Sequence, residues 1–288
     1  MVSGGIALAV YEQGPENAPT VLLVHGYPDT HAVWDEIAGE LAKRFRVTRY
    51  DVRGAGASDA PRGTASYRLE HLTGDLFAVA DAVSPAKPVH LVGHDWGSIQ
   101  AWEAVTEPGA RERIASYTSI SGPCLDHVAY WLRENRGRAR MLNQLLRSWY
   151  ILAFHVPVLP ELLWRLVAKW WPKILDRVEG VRGHHVAPTM ARDAARGVSL
   201  YRANFRPRLS RPRNRRTEIG VQVITLARDR YVSPALAEGL QRWVPNLWRR
   251  SLPEGHWSAL VGNAGPTATM ISELIDHVED RRSPGVVP

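Results

Sequence analysis

The chain has 288 residues, 45% hydrophobic and 23% charged, which is enough to bury a large globular core. Its single cysteine, Cys124, cannot form an internal disulfide, so nothing indicates an oxidising compartment. The N-terminus fits a first strand better than a signal peptide, and no apolar run of spanning length is free of charge and proline. These features predict a cytoplasmic protein and exclude a transmembrane one.

The net charge of +7 is unevenly distributed along the chain. Residues 124–216 contain 19 Lys and Arg against 6 Asp and Glu, whereas the rest contains 17 against 23. Because no nucleic-acid-binding motif accompanies the basic residues, nucleic acid is not an expected partner. A solvated, arginine-rich surface is one interpretation, and peripheral contact with an anionic membrane is another.

Short β-branched runs alternate with helical patterns over the first 120 residues, and strand patterns return near the C-terminus. This alternation predicts an α/β fold with a mostly parallel sheet flanked by helices. The predicted strands are Thr20–Val24, Phe45–Tyr50, Val89–Val92, Ile114–Ile120, Val221–Leu226 and Leu247–Ser251. The predicted helices are His31–Lys43, Arg68–Val83, Ser98–Thr106 and Thr267–Glu279.

Residues 124–216 contain no convincing strand, so we expect a helical cap inserted into an α/β core of residues 1–123 and 217–288. Within the cap, residues 148–175 are very apolar but are interrupted by prolines, which rules out one spanning helix. Lining of an apolar pocket is the first interpretation of this segment. An interfacial surface that collects lipid-like substrates is the second. The tail, residues 281–288, is expected to be frayed or a linker.

The segment GHDWG, residues 93–97, lies between a predicted strand and a predicted helix. This is the form of a nucleophile elbow, whose tight turn leaves room only for glycine at Gly93 and Gly97. The central residue is Asp95, and a carboxylate can displace a leaving group at saturated carbon to form an alkyl ester. This chemistry suits epoxides and haloalkanes. A capping aspartate in an ordinary strand–turn–helix is the structural alternative.

A second turn, VHGYPD, follows the predicted strand Thr20–Val24 and should face the same sheet edge. The backbone N–H groups of Tyr27 and Trp96 are the predicted donors of an oxyanion hole for hydrolysis of an Asp95 ester. The turn residues expected to support these two donors are His25, Gly26, Pro28 and His94.

Two further residues complete the chain order nucleophile, acid, histidine. Asp229 ends a predicted strand, and His256 follows the last one. We expect His256 to act as general base on water, oriented by Asp229. Asp126 is a second candidate acid. The pair at residues 184–185 is His-His without a carboxylate or cysteine at ligand spacing, so neither a metal nor another cofactor is expected.

The segments HGYPDT, YDVRGAGASDAP, GHDWGS, ARDRYVSP and EGHW together resemble the epoxide hydrolases of the α/β-hydrolase fold over nearly the whole chain. The segments SYTSISGP, RWVPNLWRR and ARDAARGVSLY are similar to the hydrolase half of mycobacterial fusions with a short-chain dehydrogenase. No dinucleotide-binding half is present, so a stand-alone relative or an excised domain is expected. The resemblance implies an enzyme that converts an apolar epoxide and water to a diol.

The resemblance also implies two cap tyrosines that bind the epoxide oxygen and protonate the departing alkoxide. Tyr150 keeps the family's spacing to Pro157, and Tyr201 begins a YRAN run that matches the second motif with one inserted alanine. Tyr130 is the fallback candidate. Ordinary packing is the alternative for each tyrosine.

Two other functions remain open at this point. A haloalkane dehalogenase would use the same Asp95, although such enzymes often carry Asn where this chain has Tyr27. A non-catalytic protein that binds a lipid-like ligand is less favoured, because Asp95, Asp229 and His256 are all present. A homo-oligomer is also left open.

Overall fold

The computed structural model describes residues 1–282, with the exception of the side chain of His184. The tail prediction therefore falls mostly on residues 283–288, outside the described residues. In the described part, the strands are β1 Val2–Ser3, β2 Ile6–Ala7, β3 Val10–Gln13, β4 Thr20–Val24, β5 Arg46–Tyr50, β6 Val89–His94, β7 Ile114–Ile120, β8 Gly220–Leu226 and β9 Leu247–Leu252.

The α-helices fall into two groups, one within the α/β alternation and one between β7 and β8. The first group is α1 Asp35–Leu41, α2 Leu69–Val83, α3 Trp96–Val105 and the C-terminal α10 Ala264–Arg282. The second group, numbered in chain order between α3 and α10, is α4 Leu125–Glu134, α5 Ala139–Arg147, α6 Trp149–Phe154, α7 Leu159–Val167, α8 Trp171–Glu179 and α9 Met190–Ser210. No helix in residues 1–282 is long and apolar enough to cross a bilayer.

Seven strands form one sheet in the order β3-β5-β4-β6-β7-β8-β9. All neighbouring pairs are parallel except β3 with β5, while β1 and β2 form a separate antiparallel pair. The central strands β4, β6 and β7 are buried along their whole length, as a parallel sheet covered on both faces requires. The predicted mostly parallel α/β sheet is confirmed.

Side-chain alternation along β4 shows how one strand supplies two cores. Leu22 and Val24 belong to the core between the sheet and helices α2 and α3. Val21 and Leu23 point the other way, into the core shared with α1 and α10. All four side chains are fully buried, and each contributes about 2 kcal/mol through the hydrophobic effect. These two cores hold the strand ends, and hence the site, in fixed positions.

The six predicted strands are found with ends within a residue or two. The predicted first strand is instead three short strands, β1 to β3. The predicted helix His31–Lys43 divides into a 3₁₀ turn over His31–Trp34 and the helix α1. Thr30 caps the start of the turn by accepting from the N–H of Ala32. The helix predicted from Ser98 begins two residues earlier, directly after Asp95.

The segment predicted as a cap, residues 124–216, carries helices α4 to α9 and no strand within its described part. Helix α9 packs against α4, α6 and α7. Asn204 on α9 ties this segment to the core, since its side chain donates to Tyr67 O and accepts from the N–H of Leu69, both at 2.9 Å. Its placement within the fold agrees with a cap, whose exact limits remain a prediction.

A buried charge cluster fixes the point where the inserted helices return to the core. Glu103 on α3 is 3% exposed and accepts from Arg208 at 3.0 Å, Arg213 at 2.7 Å and also Arg215. Burial raises the pKa of Glu103, although the positive charges of Arg215 and Arg213 oppose this effect. A single carboxylate therefore anchors three arginines that follow one another at the end of the insertion.

Candidate active site

The turn between β6 and α3 places Asp95 at a strained backbone position. Asp95 has φ 51° and ψ −121°, a region that a residue with a side chain rarely adopts. A Cβ at Gly93 would lie 2.6 Å from Ser98 Cα, and one at Gly97 would lie 2.0 Å from Val24 O. Both glycines are therefore required by close backbone approach, and the turn has the form of the predicted elbow.

The carboxylate of Asp95 is buried and held by backbone donors. Its Oδ1 accepts a hydrogen bond of 2.8 Å from the N–H of Tyr27. Burial raises the pKa of Asp95, while the positive charge of His256 and hydrogen bonds from the N–H groups of Tyr27 and Trp96 act in the opposite direction. A Cβ at Gly26 would lie 2.5 Å from this carboxylate, which explains a glycine beside the donor. The two predicted oxyanion-hole donors thus meet at Asp95.

Tyr27 also connects this backbone donor to the inserted helices. Its hydroxyl donates to Ala194 O on α9 at 2.8 Å. A Cβ at Gly197, also on α9, would lie 2.5 Å from the Tyr27 ring. The ring is therefore clamped by α9, while its own N–H contacts Asp95. The peptide bond from Tyr27 to Pro28 is cis.

His256 and Asp229 form a buried pair next to Asp95. His256 Nδ1 lies 3.1 Å from Asp229 Oδ2, and His256 Nε2 lies 3.8 Å from Asp95 Oδ2. Asp229 Oδ1 is fixed by the N–H groups of Tyr231 at 2.7 Å and Val232 at 2.9 Å. The imidazole is thus placed between the two carboxylates, in the order that a nucleophile, base and acid require.

The charges of this pair stabilise each other. Burial by itself lowers the pKa of His256, but Asp229, Asp95 and Glu179 outweigh it and raise the value to about 9. Burial by itself raises the pKa of Asp229, but the positive charge and hydrogen bond of His256 bring it below its usual range. With a pKa of about 9, His256 carries a proton near neutral pH and pairs with the ionised Asp229.

Tyr150 on α6 and Tyr201 on α9 face the same cavity as Asp95. Their ring centroids lie 5.9 Å apart, and Tyr201 packs edge-on against Trp96 at 4.9 Å. Burial raises the pKa of both phenols, and the negative charge of Asp95 adds to the effect. Both hydroxyls therefore stay protonated and can serve as hydrogen-bond donors.

The two fallback candidates lie elsewhere. Asp126 accepts from the N–H of Arg213 at 2.7 Å, and its described partners do not include His256. Tyr130 packs against Trp243 with ring centroids 5.1 Å apart and donates to Pro212 O.

The supporting histidines are neutral structural residues. His25 Nε2 accepts from the N–H of Val52 at 3.0 Å, and burial lowers the pKa of His25. His94 Nε2 lies 3.0 Å from His256 O, and burial lowers the pKa of His94 strongly. Of the two adjacent histidines at residues 184–185, the side chain of the first is outside the described part of the structure. The Nε2 atom of His185 lies 3.7 Å from Asp29 Oδ1. The described side chains contain no group of three or more residues that could hold a metal ion.

Three residues that the sequence did not single out contact this site. Ser121, directly after β7, donates to Asp229 Oδ2 and lies 2.9 Å from His256 Nδ1. The Tyr231 ring lies 5.0 Å from the His256 ring and lines the cavity. Asp29 accepts from Trp257 Nε1 at 2.9 Å, and burial raises the pKa of Asp29 to about 7. The sequence could have indicated these three residues only through their positions, because each one follows a strand or a motif residue.

An apolar cavity of about 1030 Å³ opens onto these side chains. Its wall includes Asp95, His256 and both tyrosines, and its outer part is formed by Leu142, Leu146 and Trp149. A second cavity of about 300 Å³ also reaches Asp95, Tyr150 and Tyr201, but extends between α3, α4 and α9 toward Leu132 and Leu209. Asp95, Tyr150 and Tyr201 therefore stand where two apolar spaces meet.

Comparison with known proteins agrees with this architecture. A family model described as alpha/beta hydrolase fold matches residues 19–263. The solved structure of an epoxide hydrolase from Bacillus megaterium, in complex with a naphthyloxy-propanediol product, superposes with a TM-score of 0.79 at 22% identity. The alignment covers 95% of this chain and 98% of that one, which shows a shared fold.

Two curated relatives extend the similarity to sequence. The probable oxidoreductase EphD of Mycobacterium tuberculosis is 40% identical over 270 residues, covering 89% of this chain and 45% of that protein. The chain thus spans about half the length of the EphD proteins that it matches. An epoxide hydrolase of Caballeronia sordidicola is 42% identical over 105 residues, covering 36% of this chain and 31% of that protein. With its family model matched over most of its length and its seven-stranded sheet in place, the chain belongs to the alpha/beta hydrolase fold family.

Proposed function

We propose that this protein is an epoxide hydrolase that converts an apolar epoxide and water to a vicinal diol. The observation that carries the proposal is one cavity wall shared by the Asp95 carboxylate, His256 and two protonated phenols. The curated relative from Caballeronia sordidicola, which is named an epoxide hydrolase, supports it. The catalytic roles of Asp95, Asp229, His256, Tyr150 and Tyr201 are part of the proposal.

In the first step, Asp95 attacks an epoxide carbon. Oδ1 is engaged by the N–H of Tyr27, whereas Oδ2 faces His256 at 3.8 Å and is the oxygen that forms the new C–O bond. The epoxide C–O bond breaks at the same carbon, and its electron pair stays on the epoxide oxygen. Because an alkoxide is a poor leaving group, proton donation from Tyr150 and Tyr201 lowers the barrier. The product is an alkyl ester of Asp95.

In the second step, water attacks the carboxyl carbon of Asp95. His256 removes a proton from that water, and Asp229 stabilises the resulting imidazolium. The negative charge on the former carboxylate oxygen is stabilised by the N–H groups of Tyr27 and Trp96. Collapse of this intermediate breaks the ester bond, and the second proton of the water passes to the departing alcohol oxygen to give the diol. The proton taken from the water stays on His256, which returns it to its protonated resting state.

The charge arrangement orders the two steps. Before reaction, the carboxylates raise the pKa of His256 to about 9, so the imidazole carries a proton near neutral pH. Alkylation neutralises Asp95 and removes one of the charges that hold this proton. The pKa of His256 then falls, and its proton passes to the phenolate that ring opening leaves behind. The imidazole therefore becomes an available base only after the ester has formed.

The two cavities favour an epoxide with an apolar group on each carbon. One group would occupy the space of about 1030 Å³, and the other would occupy the space of about 300 Å³ beyond the tyrosines. We therefore expect internal epoxides of long alkyl chains to be better substrates than terminal ones. Residues 124–216 act as the cap that encloses them, over the core of residues 1–123 and 217–288. A cytoplasmic or membrane-peripheral location fits a chain whose only cysteine is buried and free.

Diol formation from internal and terminal epoxides, aryl and fatty, tests the proposal, with Asp95→Ala as the control. Release of halide from bromoalkanes is measured in parallel. Diol that is lost in Asp95→Ala supports the proposal. Halide without diol would assign the chain to the haloalkane dehalogenases, and neither product would favour a ligand-binding role.

A further inference from the structure

The largest unexplained feature of the molecule is an exposed apolar surface on the inserted helices. Apart from Met1 and Val2, every large apolar side chain that is exposed in the described structure lies between residues 142 and 170. These side chains, named here the cap face, are Leu142, Leu145, Leu146, Trp149, Leu152, Val156, Val158, Leu159, Leu162, Leu163, Leu166 and Trp170. Such a concentration is unusual for a protein surface that contacts only water.

The exposed residues of the cap face recur at helical spacing, so they lie along one side of each helix. On α7 and the turn after it, the exposed positions 159, 162, 163, 166 and 170 follow one side of a helix. The opposite side of α7 carries Pro160 and Trp164, which are turned toward the protein. On α5 and α6, positions 142, 145, 146, 149 and 152 repeat the same spacing. Both stretches are therefore apolar on a side that has no partner within the described chain.

Cations outnumber carboxylates in the segment that carries the cap face. Residues 138–173 contain six Lys and Arg and one acidic residue, Glu161, which is paired with Arg202. Arg165, Lys169 and Lys173 are exposed and form no ion pair with the described residues. Lys169 and Lys173 lie 5.4 and 5.0 Å from the ring centre of Trp170. Tryptophan beside lysine on an apolar side is the composition of a helix that lies in a membrane interface.

The charge of the cap face also decides between two occupants. A second copy in a two-fold dimer would present the same surface, so Arg165, Lys169 and Lys173 would approach their own counterparts. The only carboxylate of residues 138–173, Glu161, is already paired with Arg202, so no other acidic side chain of that segment would compensate the repulsion. Anionic lipid headgroups supply the missing negative charge, and the acyl region accepts the leucines.

The cavity opens through the same surface. Leu142, Leu146 and Trp149 belong to the cap face and also form the outer wall of the cavity that reaches Asp95. Trp149 is 67% exposed, so the entrance is apolar up to its rim. We infer that the cap face docks on anionic lipid surfaces and admits membrane-dissolved epoxides directly into the cavity. The docking stands on its own observations, and the delivery of an epoxide rests on the proposed function.

Vesicle sedimentation tests the docking, with phosphatidylcholine vesicles that contain or lack phosphatidylglycerol. We expect the protein to sediment with the anionic vesicles, less at high salt, and poorly with phosphatidylcholine alone. The variants Lys169→Glu/Lys173→Glu and Leu162→Ser/Leu166→Ser should each bind at least about tenfold more weakly. None of these four side chains lines the cavity.

A matched charge control separates the cap face from net charge. Lys87→Glu/Arg111→Glu changes the charge equally at exposed positions before β6 and β7, on the sheet edge opposite Asp95. This control should bind as the unaltered protein does. Three results would each overturn the docking. In the first, the unaltered protein fails to sediment, and in the second, the control loses as much binding as the cap-face variants. The third is self-association without lipid that the cap-face variants abolish.

Rates of epoxide hydrolysis distinguish docking on the membrane from delivery of a membrane-dissolved epoxide to the cavity. The cap-face variants should hydrolyse a small water-soluble epoxide at the normal rate and a vesicle-borne fatty epoxide more slowly. Sedimentation without diol from any epoxide would retain the docking and reject the proposed function. Diol formation without sedimentation would retain the function and reject the docking.

Discussion

The role assigned to Tyr150 and Tyr201 gives the sharpest quantitative prediction. Both phenols are buried, protonated and on the wall beside Asp95, so both can donate to the same departing oxygen. A hydrogen bond to a charged group contributes about 2 kcal/mol. Because about 1.4 kcal/mol is tenfold in rate, removing one phenol should slow ring opening about 30-fold. Removing both should slow it about a thousandfold if the two losses add.

Rapid mixing under single-turnover conditions measures this step. Trp164, Trp171 and Trp257 line the cavity, so alkylation of Asp95 should change the tryptophan fluorescence. Tyr150→Phe, Tyr201→Phe and the double variant are compared with the unaltered protein. Ring opening should slow in each, while hydrolysis of an ester once formed should change little.

Tyr130→Phe is the matched control. It removes the same hydroxyl from a tyrosine that donates to Pro212 O outside both cavities. Its ring-opening rate should equal that of the unaltered protein. A double Tyr150→Phe/Tyr201→Phe variant that opens the ring at the normal rate would refute the reasoning, and these two residues would then be packing residues.

Three other perturbations follow from the site and its anchor. His256→Gln should accumulate an ester on Asp95, seen by intact-protein mass spectrometry as the addition of one substrate molecule, because the base for the second step is missing. Asp95→Asn removes a negative charge 3.8 Å from His256 and should move the pKa of His256 below about 9 in an NMR titration. Glu103→Ala leaves Arg208 and Arg215 without a shared carboxylate and should cost about 3 kcal/mol in urea unfolding.

Each of these has its own contrary result. No adduct in His256→Gln with a substrate that the unaltered protein turns over would exclude a two-step mechanism. An unchanged titration of His256 in Asp95→Asn would mean that Asp229 and Glu179 set its pKa without Asp95. Unfolding of Glu103→Ala at the normal urea concentration would show that the remaining partners, Glu70 and Glu107, satisfy the two arginines.

The sequence predicted the sheet and the nucleophile turn well because their constraints are local. A fully buried parallel strand needs a continuous apolar run, and β4 and β6 have one. The close contacts at Gly93 and Gly97 exclude other residues, so a short motif was sufficient to identify the turn. Asp229 and His256 could be proposed because the ends of parallel strands meet at one edge of the sheet.

Contacts between residues that are far apart in the chain could not be predicted from these local patterns. Ser121 is one of several serines near β7, and only the approach of β8 brings Asp229 to its hydroxyl. Tyr231 enters the cavity wall because the N–H of the same residue is held by Asp229. For residues 148–175 the sequence allows both a pocket lining and an interfacial surface, because helical periodicity alone does not show which side of an amphipathic helix is covered. In the structure, Trp164 of this segment lines the cavity and Leu166 is exposed.

Tyr27 limits how the inserted helices of this protein can be exchanged. Its backbone N–H contacts Asp95. Its hydroxyl donates to Ala194 O and its ring packs closely against Gly197, both on the inserted helix α9. Replacing residues 124–216 with the corresponding segment of a relative would therefore also alter the support of the N–H group that contacts Asp95. Any such chimera needs a glycine at position 197 and must keep the backbone carbonyl of residue 194 in reach of the Tyr27 hydroxyl. Otherwise Tyr27 must be redesigned together with the inserted segment.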